Sequence, residues 1–128
     1  MSDAVNVNAP SQRIRAVLLT ALAAATVLVY SRALFCDFVY YDDGLYVFDN
    51  AAVRNGITLT GLKQIFVTGE TGTWQPIALL SHMLDCQLFG LNAWGHHLSG
   101  VLIHAINSAL LCVALTRMTD RFYPSLAV

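Results

Sequence analysis

The sequence predicts an all-α membrane protein: two transmembrane helices joined by a long outer loop that carries short interfacial helices. Three observations support this. Only 12% of the 128 residues are charged and 56% are hydrophobic, whereas an ordinary soluble domain carries about 25% charged residues. The mean hydropathy is +0.57. The apolar residues are also concentrated in two uncharged blocks. The same composition excludes an intrinsically disordered segment, which needs few apolar residues and much charge. A net charge of −1 excludes a basic nucleic-acid binder, because no patch can neutralise a phosphate backbone.

Residues 1–13 form the N-terminal tail. The first block runs without a charge from Ala16 to Ser31, between Arg13 and Arg15 on one side and Arg32 on the other. A spanning helix needs about 20 residues, and flanking arginines extend the usable length by snorkelling to the headgroups. Residues 14–35 are then a full span. The rival is a cleaved signal peptide. Arg32 stands in the would-be cleavage region, however, and Phe35 before Cys36 is too large for a small-residue cleavage site. The expectation is a retained anchor. The second block, from Leu98 to Thr116, is closed by Arg117, Asp120 and Arg121, and 96–116 reads as the second span. His97, Gly100, His104, Asn107 and Ser108 recur at helical spacing, one polar stripe on a lipid-compatible helix. Intramembrane polar groups face protein or a wet cavity, so this helix is expected to have neighbours.

Arg13, Arg15, Arg117 and Arg121 lie outside the two spans. Between them, Arg54 and Lys63 face Asp37, Asp42, Asp43, Asp49, Glu70 and Asp85. The positive-inside rule therefore puts both termini in the cytoplasm and the loop 36–95 outside, with 117–128 a cytoplasmic turn leading to a third span. Within the loop, Phe38 to Asn50 reads as extended segments around a bend. Thr60 is expected to cap a short helix carrying Leu62, Ile65 and Phe66. Gly69 to Gly72 is a break. Thr73 then caps an interfacial helix over about 73–89, with Pro76 in its first turn. Ile77, Leu80, Met83, Leu84 and Leu88 form its apolar face, opposite Gln75, His82 and Asp85. Trp74 and Trp94 at its ends suit the membrane interface. A lid helix packed wholly on protein has the same pattern.

The candidates for chemistry lie in this loop. Asp42 and Asp43, beside Tyr40, Tyr41 and Tyr46, read either as a solvated turn or as a carboxylate that deprotonates an acceptor hydroxyl. In extended chain only one of them can face a given acceptor; the other would hold a metal or fix the loop backbone. His82 and Asp85 share a helix face, as a catalytic or ligand pair or as a structural one. His96, His97 and His104 have no carboxylate or thiolate at ligand spacing along the chain, so the sequence assigns no metal ligands. Cys36 and Cys86 stand on the outer side and can pair in an oxidising compartment, but three cysteines show no framework spacing that assigns a disulfide. No phosphate-binding glycine loop, nucleophile elbow or dinucleotide fingerprint is present.

The stretch from Tyr41 to Thr58 (YDDGLYVFDNAAVRNGIT), with Trp74-Gln75-Pro76, Ser81-His82-Met83-Leu84-Asp85, Leu88-Phe89-Gly90-Leu91 and Gly95-His96-His97-Leu98, resembles the start of the transmembrane and tetratricopeptide-repeat glycosyltransferases. The resemblance runs from about Arg13 to the end of the chain. It departs at Ala93-Trp94, where the family usually has proline or a small residue, a change expected in loop detail. It implies a C-type glycosyltransferase of the O-mannosyltransferase kind, in bacteria an inner-membrane protein. The donor would be a polyprenyl-phosphate sugar and the acceptor a protein hydroxyl on the outer side. A divalent cation is conceivable and no other cofactor is implied. Asp42 or Asp43 maps to the acidic residue at the acceptor. His82, Asp85, Trp74 and Tyr41 map to the entry of the lipid carrier. Family members continue through many more spans, so this chain is expected to be an N-terminal module, inactive without them. A helical-hairpin subunit that scaffolds a complex, or part of a transporter whose polar stripe lines a pathway, are the other readings.

Overall fold

The structure, a computed structural model, describes residues 10–68 and 71–127. The tail before Pro10, Gly69 and Glu70 of the expected break, and Val128 lie outside the described residues. Every regular element among those described is helical, and the chain forms two compact units, residues 1–31 with 101–128, and residues 32–100.

The first unit contains helix α1 (Gln12–Tyr30), which starts at Ser11, whose hydroxyl accepts the Ile14 N–H. A 3-10 turn (Ser31–Phe35) carries it on into the second unit. Residues Gln12–Phe35 are long and apolar enough to cross a membrane, and none of their most apolar stretch is buried in the protein. Thr26 donates its hydroxyl to the Leu22 carbonyl one turn back, and Ser108 and Thr116 do the same with His104 and Cys112. Such back-bonding satisfies a hydroxyl where lipid offers no partner. The later helix α5 (Ala93–Thr119) is the second helix able to span. In its portion within this unit, Val101, Ala105 and Cys112 are buried. His104, Asn107 and Ser108 line a groove of about 550 Å³ shared with Thr26 and Tyr30 of α1, and the His104 ring meets Tyr30 edge-on at 4.7 Å. The polar stripe thus turns toward a neighbouring helix. Helix α6 (Phe122–Ser125) follows, with Arg15 stacked over the Phe122 ring at 5.8 Å.

The second unit is the loop, folded around its own core. Val47, Ala52, Val53, Ile65, Leu79, Met83 and Cys86 are buried together, with Phe38, Tyr46, Leu62 and Leu80 packed against them. The extended reading of Phe38 to Asn50 is overturned. The Asp43 carboxylate accepts the Val39 N–H at 2.8 Å, and a π-helical turn (Gly44–Phe48) follows. An extended segment here has no neighbouring strand, whereas helical turns satisfy the backbone locally and still deliver Val47 to the core. Helix α2 (Ala51–Arg54) is capped by Asn50, which accepts from Ala52 and Val53. Helix α3 (Leu59–Val67) starts two residues earlier than the sequence suggests, because Thr58, not Thr60, accepts the Gly61 N–H. Helix α4 (Pro76–Phe89) has Gln75 at its cap position with no side-chain cap bond. Thr73 pairs its hydroxyl with that of Tyr46 instead.

The apolar face expected for α4 also divides. Met83 is buried in the core and Leu80 partly so, but Ile77, Leu84 and Leu88 are 69%, 45% and 64% exposed. The inward face is Leu79, Met83 and Cys86. Period alone cannot separate an inner from an outer apolar stripe when both exist.

The turn from α4 into α5 depends on two glycines. Gly90 has φ +63°, a region that only glycine enters cheaply. At Gly95, a Cβ would lie 2.3 Å from the Phe89 ring. Gly95→Ala is therefore expected to destabilise the unit by about 1–3 kcal/mol through overpacking. Gly100→Ala, with nothing within 4 Å of the new methyl, should be neutral or stabilising by up to about 1 kcal/mol. Thermal melts of the helical circular dichroism signal in detergent compare the two; equal midpoints would contradict the tight corner.

Candidate functional site

The corner between α4 and α5 brings four polar side chains of the second unit together. His82 and Asp85 lie one turn apart on α4. His96 and Ser99 lie one turn apart on the first turns of α5. Asp85 is only 4% exposed, and burying a charge is costly unless it is paired and hydrogen-bonded. Ser99 meets this need by donating its hydroxyl to Asp85 Oδ1 at 2.5 Å. The other oxygen, Oδ2, stands 3.9 Å from His82 Nδ1 and 3.8 Å from His96 Nδ1, too far for hydrogen bonds. The two Nδ1 atoms are 3.3 Å apart.

The tautomer of His96 follows from its other nitrogen. Nε2 lies 3.1 Å from the Gly90 carbonyl, which can only accept. Nε2 therefore carries the proton, and the Nδ1 lone pair faces the cluster. In the neutral pair His82 then donates its Nδ1–H to His96. The ligand atoms of His82, Asp85 and His96 all lie within 4.8 Å of one another, so these three residues can hold a metal ion. His82 keeps 31% of its side chain exposed while His96 and Asp85 are buried. The cluster thus has one accessible member.

His96 was not singled out for this role by sequence, because its carboxylate partner comes from across the corner and not from its own helix. The expectation that no carboxylate or thiolate stands near the histidines is corrected: Asp85 is 3.8 Å away and the Cys86 sulfur 3.9 Å from Nε2. The adjacent His97 turns elsewhere, with its Nε2 buried and without a hydrogen-bond partner among the described residues. His104 is in the other unit. Cys36 is exposed, Cys86 and Cys112 are buried, and all three are free thiols.

The acidic pair is split by function of geometry. Asp43 spends one carboxylate oxygen on the Val39 N–H and so fixes the turn. Asp42 is exposed. Both sit in helical turns, so the back-to-back orientation of an extended chain does not apply. Tyr41 is 84% exposed and Trp74 67% exposed, and the Trp74 indole donates to the Phe66 carbonyl. A groove of about 610 Å³ runs past Phe35, Phe38, Phe48, Leu91 and Trp94. Phe38 separates it from the cluster by packing edge-on to His96 at 5.3 Å.

Burial holds the His82 imidazole below its ordinary pKa, and His96 adds to this; Asp85 and Asp43 pull the other way. Burial likewise pushes the Cys86 thiol up, with Asp85 adding to it and Arg54 opposing. For His82 the unfolded chain binds the proton more readily. Its contribution to stability is therefore complete above the ordinary imidazole range, near pH 6.5, and is lost as pH falls from there toward the folded midpoint. In chelator-treated samples, the His82 ring resonances should titrate below free histidine, and Asp85→Asn should lower the midpoint further. A rise in that variant would contradict the arrangement.

No family model matches the chain, and no solved structure matches it. Among curated proteins it is similar to Protein O-mannosyl-transferase Tmtc1 of Drosophila melanogaster, 28% identical over 111 residues, covering 80% of this chain and 13% of that protein. Coverage of that extent necessarily includes the whole stretch from Asp42 to Ser99. The chain spans only about an eighth of the length of the relative it matches.

Proposed function

We propose that this chain is the N-terminal membrane part of a C-type glycosyltransferase that takes a sugar, mannose by analogy, from a polyprenyl-phosphate carrier and passes it to a protein hydroxyl. The observation that carries the reading is the similarity to an O-mannosyltransferase across the stretch holding the acidic turn and the histidine–carboxylate cluster. The two apolar helices supply membrane spans. In this reading both termini are cytoplasmic and the folded loop 36–95 is outside, where carrier and acceptor meet. The two spans do not wall a donor site by themselves, so activity belongs to their assembly with further membrane helices.

The chemistry suits the residues. An acceptor hydroxyl oxygen attacks the anomeric carbon as the bond from that carbon to the carrier phosphate breaks. The sugar passes through an oxocarbenium-like state, and the hydroxyl proton goes to a carboxylate on the face opposite the leaving group. Asp42, exposed and on a helical turn, takes the base role. Asp43, committed to Val39 N–H, holds the turn. His82 and Asp85 lie toward the carrier phosphate. Tyr41 and Trp74 are exposed aromatic residues of the kind that settle at headgroup level, and the outer stripe Ile77, Leu84 and Leu88 gives α4 an apolar side for lipid.

Membranes from cells expressing the chain joined to the further membrane helices of a complete transferase, given polyprenyl-phosphate mannose and a serine- and threonine-rich peptide, provide the test. Asp42→Asn should lower transfer by about 10²-fold or more, the contribution of a general base, with membrane insertion unchanged. Asp43→Asn should lower it less, by loosening the turn. Normal transfer in both variants would dismiss the carboxylate roles, and no transfer by the unaltered full assembly would dismiss the reading.

A further inference from the structure

We infer that His82, Asp85 and His96 form a binding site for a divalent transition-metal ion of the zinc class. The reading is independent of the transferase proposal, since it is tested by binding and not by sugar transfer. Three features of the cluster converge on it. The first is spacing. Two nitrogens bound at about 2.0 Å to one tetrahedral ion stand about 3.3 Å apart, and the two Nδ1 atoms are 3.3 Å apart. Asp85 Oδ2, at 3.8 and 3.9 Å from them, needs to close by about half an ångström to complete the triangle. A carboxylate at that distance makes neither a hydrogen bond nor a tight ion pair with either ring. A cation between all three would draw it in.

The second feature is the support behind the ligands. A metal-binding histidine commonly donates its other ring N–H to a backbone carbonyl, and a ligating carboxylate is itself hydrogen-bonded. His96 donates Nε2–H to Gly90, which aims the Nδ1 lone pair at the cluster. Ser99 holds the remaining Asp85 oxygen. His82 needs only to move its ring proton from Nδ1 to Nε2 on binding, a change of tautomer without net proton release. The third is the donor set and its access. Two imidazoles and one carboxylate suit zinc, cobalt or iron better than magnesium or calcium, which prefer oxygen alone. Three protein ligands with one of them partly exposed leave a coordination position open, as catalytic metal sites do.

The test uses the 128-residue chain purified in detergent, treated with chelator, on a Cys36→Ser background that removes the exposed thiol. Titration with Zn²⁺ by calorimetry should give one equivalent bound, and Co²⁺ should give the visible absorption of a four- or five-coordinate nitrogen–oxygen site, displaced by Zn²⁺ and not by Mg²⁺. His82→Ala changes a half-exposed position and should keep the fold, checked by circular dichroism, while lowering Zn²⁺ affinity at least 100-fold. Ser99→Ala should lower it by about 10-fold, and His104→Ala should leave it unchanged. Absence of stoichiometric Zn²⁺ binding, or equal affinity in the His82→Ala variant, would overturn the site.

Discussion

The contact between Phe89 and Gly95 leaves room for a hydrogen and nothing larger, and the geometry of the cluster depends on it. Gly90, in a backbone conformation closed to other residues, turns the chain. Asn92 then accepts the Trp94 N–H through its side chain, and α5 starts beside the helix the chain has just left. That return places residue 96 opposite residue 82 and residue 99 opposite residue 85. Gly90 serves twice, because the carbonyl released at the end of α4 is the one His96 binds. A helix-ending carbonyl that would otherwise need water thus sets the tautomer of a histidine.

The two helices long and apolar enough to span were legible because lipid demands a property that composition records directly: an uninterrupted apolar run of fixed length. The shared face of His82 and Asp85 was legible too, since a spacing of three on one helix is a local fact, but at 3.9 Å the two do not hydrogen-bond as that spacing allows. His96 was not, because its partner is reached across a corner. The signal was present in the glycines at 90 and 95 with a histidine immediately after, but only packing against Phe89 gives those glycines a direction. The acidic turn misled for a different reason. Aromatic residues and valines on either side of Asp42-Asp43-Gly44 imitate strands around a bend, and nothing local shows that no second strand exists to pair with them. The cap positions shifted because Thr58 and Thr60 are both competent, and the choice is made by Gly61, whose closeness to Met83 and Ala52 fixes where α3 begins.

Helix α4 shows how a membrane changes the meaning of exposure. In water, Ile77, Leu84 and Leu88 on an outward stripe would form an apolar patch seeking a partner. At a membrane surface the same stripe has its solvent already, while Leu79, Met83 and Cys86 hold the helix to the small core behind it. A helix with two apolar sides and a polar seam between them is consistent with a body packed on protein and bathed by lipid. The seam is where His82 and Asp85 lie.

The chemistry is thereby divided between supports of different stiffness. His96 and Ser99 ride on the first turns of α5, a single helix from Ala93 to Thr119, and His82 and Asp85 ride on α4, whose inner face is locked into the core. Sites on helices hold their geometry more closely than sites on loops, which suits the angular demands of an ion or a bound phosphate. Asp42 instead stands on a short turn tied down through its neighbour Asp43, whose carboxylate bonds Val39 and also acts on the His82 imidazole. In the proposed transferase reading, a base that must meet acceptors of varied shape gains from that looser mounting. The electrostatic reach of Asp43 to His82 means that the loose part and the stiff part still share one field.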